Sequence, residues 1–392
     1  MKKLAILLGG ILAIVMVATG YFVFNSLSST EESQDTSESS VENSSSTTSV
    51  TETTTEEELD PITERINEMT TEEKVGQLFF VRVPENNQLE DIQNYHLGGY
   101  VLFGRDVENE TWESLTQKIS SYQDASEIPL LIGADEEGGT VTRISHNTNL
   151  VETPFASPQE IYNSSGFEGI AEDTKRKASI LNELGINAGL FPVADVSTDP
   201  YAFIYDRTVG LDAEGTSEFV ETVVTALKES QSGSTLKHFP GYGNNRDSHV
   251  EIVTDDRPLE ELQANDFLPF TAGIQAGADS VLVSHNIISS VDPNAPASIS
   301  AEVHQLLREE LAFDGVVMTD DMDMAGLADF ISQEEAGLSA LQAGNDLVMS
   351  SSYQTQIPYV LQAIENGDYS QEQLDTSVYR VLKWKQNIGL IE

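Results

Sequence analysis

From Asp60 onward the chain alternates short apolar, β-rich runs with longer stretches in which apolar residues recur at helical spacing. The runs are Leu78–Val83, Gly99–Phe103, Leu130–Ala134, Ala188–Ala194, Thr235–Phe239, Ser280–Ser284, Gly315–Thr319 and Asp346–Ser350. Their length and continuity predict buried strands. Helical patterns lie between them, at Glu168–Leu184, Thr216–Glu229, Leu259–Ala276 and Ala301–Leu311, and a last one follows at Gln371–Gln386. Strand–helix alternation implies a parallel sheet. Eight such units in this length fit a single (β/α)8 TIM barrel better than an open sheet, so the expected fold class is α/β.

The amino terminus follows a different pattern. Lys2 and Lys3 precede an uncharged run from Leu4 to Phe24, about the 20 residues a bilayer needs. Val17-Ala18-Thr19-Gly20 offers a passable signal-peptide cleavage site, but the run continues through Tyr21-Phe22-Val23-Phe24, which favours an uncleaved anchor. Lys2 and Lys3 would then stay cytoplasmic. Residues 25–59 are mostly Ser, Thr and Glu and cannot bury enough surface to fold, so they read as a disordered spacer. The expected organisation is an anchor or signal peptide over 1–24, a linker over 25–59 and a barrel over 60–392. Contact with the membrane runs through residues 4–24. The barrel is expected outside the membrane behind a single-pass anchor, or secreted if the segment is cleaved, and monomeric.

Composition removes several classes of function. The 392 residues include no cysteine, which excludes disulfides, thiolate metal sites and cysteine nucleophiles. A net charge of −45, from 65 acidic and 20 basic residues, argues against nucleic-acid binding, because phosphate contacts need clustered Lys and Arg. The histidines lack the spacing of a zinc helix, and Gly133–Gly139 lacks the phosphate-binding glycine fingerprint. Neither a metal nor another cofactor is expected.

Polar residues then mark where the chemistry sits. Asp135, Asp195, His238, His285 and Asp320 each stand at or just after the carboxyl end of a different predicted strand. In a barrel those ends converge on one face. The stretch from Lys237 to His249 packs two His, a Lys, an Arg and an Asp around Gly241 and Gly243, more than packing asks for. Asp247, two residues from His249, can hold one imidazole nitrogen and leave the other for proton transfer; the plainer alternative is a pair of polar residues on a solvated loop. Asp320 ends an apolar run as a barrel nucleophile does, although a helix N-cap would look the same and Asp321 stands beside it.

Several motifs in one order resemble glycoside hydrolase family 3, in particular its β-N-acetylglucosaminidase branch. They are Asp135-Glu-Glu-Gly-Gly-Thr-Val-Thr-Arg143, the Asn187–Val196 stretch, Asp206-Arg207-Thr-Val-Gly, Lys237-His238-Phe-Pro-Gly, Asp247-Ser-His249 and Thr319-Asp320. The resemblance implies a retaining exo-β-N-acetylhexosaminidase acting on N-acetylglucosamine-containing cell-wall fragments, with Asp320 as nucleophile and His249, oriented by Asp247, as acid/base. It places Asp135, Arg143, Arg207, Lys237 and His238 against the sugar, with His285 as a further pocket residue. Tyr242, Asn244 and Asn245 depart from the common family loop, which is also one residue longer between the positions of Lys237 and Asp247. The rival readings are a family 3 β-glucosidase or β-xylosidase, a phosphorylase using the same covalent intermediate, and an inactive wall-binding protein.

Overall fold

The computed structural model describes residues 60–243, 245, 252–328 and 330–392. The expected anchor and linker lie outside these residues. Among the described residues no helix is long and apolar enough to cross a membrane.

The described residues form ten strands in chain order: β1 Phe79–Arg82, β2 Gly99–Leu102, β3 Leu131–Ala134, β4 Ala188–Gly189, β5 Thr235–Phe239, β6 Thr254–Asp255, β7 Ser280–Val283, β8 Ile287–Ile288, β9 Val316–Thr319 and β10 Val348–Ser350. Eight of them form two parallel sheets, ordered β10-β1-β2-β3-β4 and β5-β7-β9. Parallel bridges Ala188–Gly233 and Val193–Lys237 join β4 to β5, and Met318–Leu347 joins β9 to β10. The strands therefore follow one another around a barrel-like ring in chain order, with helices in the connections. Nearly every strand residue in the ring is buried, because its two faces meet the barrel interior and the surrounding helices.

The eight predicted strands are all present, and where their limits differ the cause is local. The run Ala188–Ala194 is regular only over its first two residues, because Pro192 has no N–H to donate to a ladder. Pairing resumes beyond it, where the Ala194 N–H donates to the Lys237 carbonyl at 2.6 Å. The predicted helix Glu168–Leu184 extends back to Pro158, with Ser157 and Glu160 forming a capping box and a non-helical Gly166 between. Leu259–Ala276 divides into Leu259–Ala264 and Phe267–Ala276. At the division the Asp266 side chain turns inward to meet Arg257 at 2.8 Å, and Asn265 leaves the helical region. The short parallel pair β6–β8 stands apart from the ring and was not anticipated.

Candidate active site

At the carboxyl ends of the strands a cavity of about 230 Å³ opens. It is lined by Asp135, Arg143, Arg207, Lys237, His238 and Asp320, and also by Arg82, Phe103, Asp321 and Met349. Most of the polar groups reach it because a strand ends there: Arg82 closes β1, Asp135 follows β3, Lys237 and His238 belong to β5, and Asp320 follows β9, while Arg143 comes from the loop after β3 and Arg207 from the 3-10 turn Tyr205–Arg207. The chemistry is thus built on rigid strand ends.

One side of the cavity is a dense charge network. Lys237 Nζ lies 2.6 Å from Asp135 Oδ1 and 2.6 Å from Glu137 Oε1. Arg207 donates to Glu137 twice, and Arg143 Nη2 stands 3.3 Å from Asp135 Oδ2. Burial by itself would raise both acids, but Lys237 with Arg143 holds Asp135 well below the usual carboxylate range. Lys237 with Arg207 similarly brings Glu137 down to about 2. Both acids are ionised at neutral pH and can only accept hydrogen bonds.

His238 sits behind this network. Its Nε2 lies 3.1 Å from Arg207 Nη2, and its Nδ1 lies 2.8 Å from Asp195 Oδ2. An arginine can only donate, so Nε2 is the acceptor and the proton is on Nδ1, facing Asp195. Burial, then Arg207 and Lys237, push the His238 pKa well below its ordinary value, which agrees with a neutral ring. Asp195 is fully buried and also accepts from the backbone N–H groups of His238 and Tyr242, while burial raises it to about 6. Tyr242, one of the departures from the family loop, is buried between the rings of His238 and Phe203, at 4.9 and 5.0 Å.

Opposite stand two adjacent carboxylates with different surroundings. Asp320 Oδ1 accepts from the Asp321 N–H at 2.8 Å. Asp321 pairs with Arg82 and accepts from the Asp323 N–H, and burial raises it to about 6 against the pull of Arg82. Arg82 in turn lies over the Phe103 ring, 4.4 Å from its centre. Asp321 is buried and held by Arg82 and the Asp323 N–H, whereas Asp320 is half-buried; both line the cavity.

One sequence candidate falls elsewhere. His285 is buried and is not among the cavity lining: Nε2 donates to the Asp321 carbonyl at 3.0 Å and Nδ1 meets Ser298 Oγ at 2.7 Å. It holds the turn that carries Asp320 and Asp321. Asp247 and His249 lie outside the described residues, and the chain is described only to Gly243, at Asn245, and again from Ile252. Glu136 is fully buried and accepts from the backbone N–H groups of Arg143, Ile144 and Ser145, so it shapes the loop after β3.

Sequence reasoning did not single out Arg82, Phe103 or the pairing role of Glu137. Arg82 and Phe103 carried the same signal as Asp135, a position at the end of an apolar run. Among the described residues one group, Glu73, His96 and Glu127, could hold a metal ion. It precedes β1, β2 and β3, at the barrel end remote from the cavity.

Comparison with known proteins identifies the family. Residues 70–384 match the glycosyl hydrolase family 3 N terminal domain. The chain is 30% identical over 336 residues to Beta-hexosaminidase A of Pseudoalteromonas piscicida, covering 78% of this chain and 55% of that protein. It is 34% identical over 264 residues to a Beta-hexosaminidase of Xanthomonas campestris pv. campestris (strain B100), covering 66% of this chain and 78% of the relative. The chain thus spans little more than half of the first relative and most of the second. The solved glycoside hydrolase family 3 beta-N-acetylglucosaminidase from Paenibacillus sp. str. FPU-7 superposes with a TM-score of 0.77 at 30% identity, over 82% of this chain and 63% of that one. With most of its length inside the family's domain, this chain belongs to glycosyl hydrolase family 3.

Proposed function

We propose that the protein is a retaining exo-β-N-acetylhexosaminidase that removes terminal β-linked N-acetylglucosamine. The observation that carries this reading is the half-buried Asp320 carboxylate facing the Asp135–Lys237–Glu137–Arg207 network across one cavity. The relatives named beta-hexosaminidase support the sugar. A cavity of about 230 Å³ lies below the ~300–1,000 Å³ of sites for larger ligands, which suits one terminal sugar rather than a chain.

In the first step an Asp320 oxygen attacks the anomeric carbon, the glycosidic bond breaks, and the leaving oxygen takes a proton from the His249 imidazolium. In the second, neutral His249 takes a proton from water, the water oxygen attacks the anomeric carbon, and the ester to Asp320 breaks. Asp247 fixes the imidazole tautomer in both steps. Asp135, Arg143, Arg207 and Lys237 hold the sugar hydroxyls, and His238 braces Arg207 from behind. Cell-wall fragments outside the membrane are the proposed physiological substrates, with residues 4–24 keeping the enzyme at the membrane.

The test is hydrolysis of chromogenic β-glycosides. The N-acetylglucosaminide should be the preferred substrate; a preference for the glucoside or xyloside would move the chain to another activity within the family.

A further inference from the structure

We infer that Arg257 is a positioning residue for the acid/base: it ties Gly241 to Asp255, on either side of the stretch of sequence that contains His249. This rests on the preceding reading that the segment carries the acid/base.

The guanidinium is shared between both ends. Arg257 Nη2 donates to the Gly241 carbonyl at 3.1 Å, where the chain has just left β5. Nε and Nη2 also grip the Asp255 carboxylate, with Nη2 at 2.7 Å, where the chain returns as β6. Nη1 reaches Asp266 Oδ2 at 2.8 Å, so the helical region around Phe267 anchors the whole clamp. Asp255 and Asp266 are each 1% exposed. The acceptors are reached by different nitrogens of one planar fork, whereas a lysine would have to gather them around a single nitrogen.

The backbone around the clamp is shaped to it. Gly241 has φ +116°, and a Cβ there would lie 2.4 Å from Asp266 Oδ1. Gly243 has φ +53°, and a Cβ there would lie 2.5 Å from Arg257 Cζ. Between these two glycines the Tyr242 N–H donates to Asp195 at 2.7 Å, tying the same stretch to the His238 side of the cavity. At the far end, β6 pairs with β8 and the Ser289 N–H donates to the Asp255 carbonyl at 3.0 Å. The guanidinium thus links the site side to the return side. Displacing it shifts one end of the segment against the other, and general-acid transfer is sensitive to displacements of about 1 Å.

The experiment compares an N-acetylglucosaminide bearing an activated aryl leaving group with one bearing an alkyl leaving group. The enzymes are wild type, His249→Ala, Arg257→Lys and Gly243→Ala. Arg257→Lys keeps the charge and loses the fork. Gly243→Ala keeps every charge and displaces the guanidinium sterically, so it decides the matter if Arg257→Lys fails to fold. Both should lose at least ~10-fold in kcat/KM on the alkyl substrate while staying within about 3-fold on the aryl one. Inhibition by free N-acetylglucosamine should be unchanged. Equal losses on both substrates, or none on either, would overturn the inference while leaving the proposed activity standing. If His249→Ala itself shows no leaving-group dependence, the acid assignment fails and the inference falls with it.

Discussion

Arg207 grips Glu137 with two nitrogens, Nη2 at 2.7 Å from Oε1 and Nε at 2.9 Å from Oε2, and both side chains are largely withdrawn from water. Most glycosidases use a protonated carboxylic acid as proton donor, and Glu137 is one of the carboxylates in the loop after β3. The paired geometry gives it the opposite character, a fixed anion that shapes the cavity's positive groups.

Replacing it with glutamine should therefore not mimic the loss of an acid. Glu137→Gln leaves Lys237 and Arg207 buried with one counter-charge fewer, and breaking a buried pair from one side costs ~3–5 kcal/mol. A drop of that order in denaturant-derived stability is expected. Activity should fall to a similar extent on good and poor leaving groups. A loss confined to poor leaving groups would return Glu137 to the role of acid.

His249→Ala carries the opposite expectation. Protonation matters most when the leaving oxygen is basic, so kcat/KM on an alkyl aglycone should fall by ~100-fold or more while glycosylation from an activated aryl aglycone is largely spared. Asp247→Asn should give a milder form of the same pattern, since it misorients the ring without removing it. Measuring rate against leaving-group pKa for both variants checks this.

Lys385 makes a prediction about stability rather than catalysis. It is fully buried in the carboxyl-terminal helix Gln371–Asn387, donates to Gln77 Oε1 at 2.6 Å, and burial lowers its pKa to about 7, with Arg65 adding to the effect. Between pH 7 and the unfolded lysine value of about 10.4 the unfolded chain holds a proton that the native chain lacks, so stability rises with pH across that window. Below pH 7 both states are protonated and the contribution is flat. Urea unfolding of wild type and Lys385→Met from pH 6.5 to 10 should show this rise in the wild type minus variant difference. A flat difference would mean that Lys385 is charged in the fold throughout.

Much of the framework is legible in the sequence, for a physical reason. A strand buried on both faces needs an apolar residue at nearly every position, so the eight ring strands stand out against the amphipathic helices. The end of each run then marks the site side, which is how Asp135, Lys237, His238 and Asp320 come to share one cavity. What is illegible depends on side chains meeting across long sequence separations. The inward turn of Asp266 toward Arg257 divides a helix that periodicity draws as one. His285 has the same strand-end address as the lining residues, yet its ring is spent on Ser298 and the Asp321 carbonyl. Arg82 looks like any surface charge until Asp321 and Phe103 are placed beside it.

The central claim is that Asp320, and not its neighbour, is the nucleophile. Incubation with an activated fluoro-sugar, followed by proteolysis and fragment mass analysis, reads this directly, because the covalent glycosyl-enzyme accumulates when its hydrolysis is slowed. The label should sit on Asp320, and Asp320→Asn should neither be labelled nor turn over substrate beyond a residue several orders of magnitude below wild type, while still binding N-acetylglucosamine. A label on Asp321 or Asp323, or steady turnover by Asp320→Asn, would contradict the account.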